Sequence, residues 1–143
     1  MVSLFYEAGM KLISRNTDYA VRAICYIAKK RPAVVSVAEL VKKIKIPRPF
    51  LRKILQTLNS EGMLISYKGK GGGFRLARKP EAVYLTDIME AFQGPFKLNE
   101  CFFKRKICPD RNKCCLKKKI DSIERMVYRE LRSITLGSVL RGH

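Results

Sequence analysis

Two short helices in quick succession, the second with a basic outer face, are followed at once by a glycine-rich hairpin. That order predicts a mainly α fold with a small β-hairpin (α+β), namely a winged helix-turn-helix. A long apolar stripe at helical spacing near the end adds a C-terminal helix. The chain divides accordingly into an extension (1–9), a winged helix-turn-helix (10–80), a connecting helix (81–100), a cysteine loop (101–116) and a dimerisation helix (117–138).

From Asn16 to Lys30 the residues Ala20, Ala23, Ile24, Ile27 and Ala28 recur at helical spacing, with Asn16 or Thr17 as cap and Arg31-Pro32 as terminator. Ser36-Val-Ala-Glu39 reads as a capping box, in which hydroxyl and carboxylate each satisfy one orphan backbone donor. Val37, Leu40, Val41 and Ile44 then form the inner face of a second helix. After the turn Ile46-Pro-Arg-Pro49 a third helix buries Leu51, Ile54, Leu55 and Leu58 and ends before Gly62. Strand-like runs Met63–Tyr67 and Gly73–Ala77 flank the turn Lys68-Gly-Lys-Gly-Gly72. Thr86 is the expected cap of a fourth helix running through Ile88, Met89 and Phe92 to Gly94-Pro95. From Leu116 to Leu136, Ile120, Ile123, Val127, Leu131 and Ile134 form a stripe that needs a partner, and a second copy of the chain is the expected one.

The 143 residues suffice for one modest core, and 47% of them are hydrophobic, which excludes disorder by composition. No apolar run reaches membrane-spanning length, and the opening Met1-Val-Ser-Leu-Phe-Tyr-Glu lacks the basic start of a secretory signal, so a cytoplasmic location is expected. Thirty Lys and Arg against twelve Asp and Glu give a net charge of +18. Such an imbalance favours a polyanionic partner, nucleic acid first and anionic membrane second.

A helix in the major groove presents its N-terminal side chains to base edges, which selects Arg48, Arg52 and Gln56. Arginine matches guanine O6 and N7, and glutamine matches adenine N6 and N7. Lys53 is better placed for phosphate, while Lys68, Lys70 and Arg75 would carry the hairpin into the flanking minor groove. No His–carboxylate pair, activated nucleophile or nucleotide-binding loop is found, which argues against an enzyme.

Of five cysteines, Cys101, Cys108, Cys114 and Cys115 fall within fifteen residues. In a reducing compartment such a group binds metal or acts in redox chemistry more often than it forms disulfides. The tight pairs typical of zinc are missing apart from adjacent Cys114-Cys115, and thiolates are the usual iron–sulfur ligands. Lys104, Arg105, Lys106, Arg111, Lys113 and Lys117 to Lys119 crowd the segment, and nearby cations favour thiolates. Cys25, on the first helix, is expected to be packing.

From Met10 to about Leu136 the chain resembles the Rrf-type family of bacterial regulators, with its IscR-like and NsrR-like iron–sulfur members. The matching stretches are Met10-Lys-Leu, Thr17-Asp-Tyr-Ala-Val-Arg22, Lys68-Gly-Lys-Gly-Gly-Gly-Phe74, Leu85-Thr-Asp-Ile88, Gln93-Gly-Pro-Phe96, Glu100-Cys101 and the three spaced cysteines. The resemblance implies a homodimeric DNA-binding transcription factor, a repressor, with one 2Fe–2S or 4Fe–4S cluster per protomer on Cys101, Cys108 and Cys114. It also suggests Met10 as the start. IscR-like members place a histidine where Lys117 stands, and Lys117 cannot serve; the single His143 is terminal. NsrR-like members use an aspartate of the partner's first helix, which corresponds to Asp18; Cys115 and Glu100 are the other candidates for fourth ligand. The competing expectations are a cluster-free thiol switch or zinc-binding regulator, and a non-specific basic nucleic-acid-binding protein.

Overall fold

The structure is a computed structural model and describes residues 11–98 and 115–142. Helix α1 (Arg15–Lys29) runs through the middle of the domain and touches every neighbouring layer: α2 (Val37–Ile44), α3 (Arg48–Ser60), the hairpin, α4 (Leu85–Gln93) and the terminal α6 (Leu136–Arg141). Its inner face is small and apolar at Ala20, Ala23 and Ala28, so neighbours approach closely, and Ile24 and Ile27 fill the gaps. Leu40, Leu51, Ile54, Leu55 and Leu58 complete the core from α2 and α3. Those four α3 residues are the ones its spacing predicted.

Strands β1 (Leu64–Tyr67) and β2 (Gly73–Leu76) pair antiparallel, Leu64 opposite Leu76 and Tyr67 opposite Gly73. Val35 exchanges two backbone hydrogen bonds with Phe74, at 2.9 and 2.8 Å, and so pins the hairpin to the start of α2. Gly62, at φ 75°, closes α3 as its spacing predicted.

Four local expectations change. The cap of α1 is Ser14, whose side chain accepts from Thr17 N, rather than Asn16 or Thr17; the Thr17 hydroxyl is buried and engaged elsewhere. Ser36 does cap α2, but the reciprocal half of the box is absent, because Glu39 accepts instead from Tyr26 OH at 2.6 Å. Helix α4 is capped at Tyr84 and Thr86 lies buried in its first turn. Here backbone bonds Leu85 N to Ile134 O and Leu136 N to Val83 O fix the start two residues earlier.

The fourth change concerns the expected long helix, which is two. Helix α5 (Cys115–Arg132) stops, Thr135 takes extended geometry, and Thr135 with Ser138 forms a full capping box for α6. Pairing of Thr135 with Tyr84 draws the chain back onto its own domain, where Leu131 and Leu136 are buried. The extension 1–9 and the cysteines at 101, 108 and 114 lie outside the described residues.

Candidate nucleic-acid interface and cofactor site

The outer face of α3 is basic because its inner face is fully used by leucines and isoleucine. Arg48, Arg52 and Gln56 recur every four residues on one stripe with Lys53 beside it, and all four are exposed. Pro47 precedes the helix and supplies no side-chain cap, and Pro49 in the first turn brings no N–H of its own to the helix's positive end. Phe50, in that same turn, is 56% exposed. Spacing alone assigned Phe50 no role; an aromatic off the apolar stripe of a basic helix was the available signal.

At the hairpin tip Lys68 and Lys70 are exposed. Gly69 and Gly71 have positive φ, and a Cβ at Gly72 would lie 2.3 Å from Tyr67 O. The tip therefore turns as tightly as a glycine backbone permits. Arg75 is not at the tip but on β2, half-buried opposite Ile65, with its guanidinium 5.5 Å from the centroid of the Tyr67 ring. That stacking holds its charge on the outer face of the hairpin. Recognition-helix and hairpin candidates thus lie on consecutive elements joined only by residues 61–63.

The cysteine segment lies outside the description, but both its anchors are visible. Leu98 N donates to Glu124 Oε2 at 3.0 Å, and Phe96 stacks on Tyr128 with ring centroids 6.1 Å apart. Tyr128 OH in turn donates to Glu90 on α4 at 3.3 Å. The chain leaves at mid-α5 and returns at Cys115, the first residue of that helix. Glu124 lies nine residue steps beyond Cys115, about 14 Å along the axis.

Upstream, the segment is tied to α1. Gln93 Oε1 accepts from Ser14 N at 2.9 Å and from the Thr17 hydroxyl at 2.8 Å, and its amide donates to Leu12 O at 3.1 Å. This last side chain of α4 therefore grips the first turn of α1, where Asp18 stands. Sequence reading noted Gln93 only within a motif; a polar residue closing a helix just before Gly-Pro was the available signal. Asp18 itself is on the surface, ion-paired with Arg22 at 3.0 Å. Cys25 is half-buried, and burial pushes its thiol above the ordinary range, partly offset by Lys29. Among the described residues no three His, Cys, Asp or Glu converge as a metal site. The donor set proposed from the sequence draws three of its members from 99–114.

Residues 13–142 match the Rrf2 family, described as "Iron-dependent Transcriptional regulator". The chain is 30% identical over 110 residues to the HTH-type transcriptional regulator NsrR of Bacillus subtilis, covering 76% of this chain and 75% of that one. Its fold superposes on CymR, the global cysteine regulator of B. subtilis, with a TM-score of 0.75 at 23% identity, over 94% of this chain and 99% of that one. The IscR of T. potens superposes with a TM-score of 0.66 at 27% identity, over 94% and 88% of the two chains.

Proposed function

Because the chain belongs to the Rrf2 family of transcriptional regulators, we propose that it is a repressor whose operator affinity is controlled by an iron–sulfur cluster on Cys101, Cys108 and Cys114. As a family member it is a DNA-binding regulator and not an enzyme. Among its described residues no helix is long and apolar enough to cross a membrane.

The donor chemistry fits such a cluster: three thiolates in a strongly basic segment, plus an exposed carboxylate at Asp18 of the partner subunit as the candidate fourth ligand. When bound, the cluster supplies a centre sensitive to nitric oxide, redox state or iron supply. For Asp18 to ligate, its pairing with Arg22 must loosen, so Arg22 competes for the carboxylate. The protein's own part is mechanical. Leu98 and Cys115 anchor the cysteine segment on α5, and Gln93 links the approach to that segment with the first turn of α1. Helix α1 packs against α3 and β2, which carry the DNA-facing side chains. A change in the segment thus has a continuous packed route to the reading surface. In that surface Arg48, Arg52 and Gln56 read base edges, Lys53 holds phosphate, and Lys68, Lys70 and Arg75 engage the flanking minor groove.

The single observation carrying this reading is the trio of spaced cysteines in a strongly basic segment, which the Gln93 clamp links to the helix that supports the recognition face. Anaerobic purification tests it: iron and sulfide in near-equal amounts, visible absorption, and different operator affinity with and without the cluster are expected. Colourless protein with stoichiometric zinc, or identical operator affinity in the loaded and cluster-free forms, would overturn it. The first result would leave the zinc or thiol-switch alternative.

A further inference from the structure

We propose that a cationic groove at the foot of the hairpin holds backbone phosphates of the DNA flanking the bases read by α3; this rests on the DNA-binding reading above. The groove is open, about 460 Å³, and its charged lining is Arg31, Arg75, Arg78 and Lys79, with no carboxylate among them. Arg31 comes from the loop after α1, and Arg78 and Lys79 from the chain leaving β2. Arg31, Arg78 and Lys79 are exposed. Four cations share this lining with no carboxylate in it, and only Arg78 also borders acidic groups, in the hollow on its other side; such an excess of positive charge suits a polyanion.

Two observations favour DNA over an acidic protein. Arg75 belongs both to the groove and to the outer face of the hairpin, where it stacks on Tyr67, so groove and wing form one continuous basic surface. The surface also has a sharp edge. On the far side of Arg78, whose guanidinium leans on Glu61 O at 3.4 Å, lies a hollow lined by Glu61, Asp87 and Glu90. A duplex backbone would be repelled there and confined to the Arg31 side. Because the groove is at the foot of the hairpin and not on α3, what it touches is displaced from the bases being read. Flanking phosphates are the target that fits a purely cationic lining there, and they carry no sequence information.

The test uses a duplex recovered by the wild-type chain from a random-sequence library, in a trimmed form and a form extended by about 10 base pairs on each side, one helical turn. Changing Arg31→Gln, Arg78→Gln and Lys79→Gln together should lower affinity for the extended duplex roughly tenfold at moderate salt and flatten its salt dependence by up to about 2.7 units of slope. The trimmed duplex should bind as before, and thermal melting should be unchanged. Replacing Arg31 and Arg78 with Lys instead should keep the wild-type slope, since charge is what matters. An unchanged slope on the extended duplex would overturn the proposal and leave an acidic protein as occupant. Equal loss on both duplexes would overturn the flanking placement. A wild-type chain that recovers no duplex at all would overturn the regulator reading itself.

Discussion

At the scale of single residues, position on the helix decides role. Arg52 is exposed on the stripe that begins at the N-terminal turn of α3, one turn beyond Arg48, and a guanidinium there reaches guanine O6 and N7 in bidentate fashion. Arg52→Ala is expected to weaken specific binding by about 1–3 kcal/mol and to relax preference at one base position, measured by gel-shift titration on matched and mismatched duplexes. Cys25 behaves oppositely. Burial raises its thiol above the ordinary value, so at neutral pH it is held as the unreactive protonated form. Peptide-resolved mass spectrometry after brief iodoacetamide treatment at pH 7 should leave Cys25 unmodified in the native protein and label it fully in denaturant. Labelling at equal rates in both would show that packing against the core does not shield its thiol. These roles were legible because apolar spacing on α1 and α3 fixes which side is left for polar groups. Gln93 was not legible: its partners Ser14 and Thr17 lie more than seventy residues away, and no local pattern encodes a contact of that separation.

At the scale of elements, the hairpin shows how a backbone requirement becomes a sequence. Gly73 has φ 153°, and a Cβ there would lie 2.1 Å from Val35 O, on the backbone pair that ties the wing to α2. No side chain fits. Gly73→Ala should therefore destabilise the fold by about 1–3 kcal/mol and detach the wing, seen as a lower melting temperature and faster hydrogen exchange at Phe74 N and Val35 N. A variant with wild-type exchange at both amides would contradict that account. The glycine run made the hairpin readable, but the reason for this particular glycine, a close approach from the loop before α2, is tertiary. The same limit explains the C-terminal helices. The stripe continues through Ile134 at helical spacing, so periodicity ran one helix into the next. What breaks it is the pairing of Thr135 with Tyr84 fifty residues earlier, after which the Thr135–Ser138 capping box restarts the helix. A capping residue inside a periodic run was the signal that could have divided it.

At the scale of the whole molecule, the uncovered part of α5 meets the net charge of +18. Leu131 is buried on the chain's own domain, yet Leu116, Ile123 and Met126 remain 70%, 48% and 61% exposed. Three large apolar side chains along about three turns of one helix suit a second copy of the same helix, aligned about a two-fold axis. A dimer built there would have to form against repulsion, because α5 carries Lys117, Lys118, Lys119, Arg125, Arg129 and Arg132 but only Asp121, Glu124 and Glu130. Two of these carboxylates are already engaged within the chain, Asp121 by Lys117 at 2.7 Å and Glu124 by Leu98 N. Salt should therefore act in opposite directions on the two associations. Screening weakens helix-to-helix repulsion and leaves apolar burial intact, whereas added salt removes the counterion-release drive for DNA binding. Sedimentation between 50 and 200 mM salt should show a dimer that holds or tightens, while affinity for a duplex falls by orders of magnitude, about 10³ or more if six phosphates are engaged. Ile123→Glu places a charge in the seam and should yield a monomer with an unchanged melting profile of the core, because Ile123 contributes nothing to that core. That monomer should protect only half of the site protected by the wild type. A variant that remains dimeric and protects the full site would move the subunit contact away from α5.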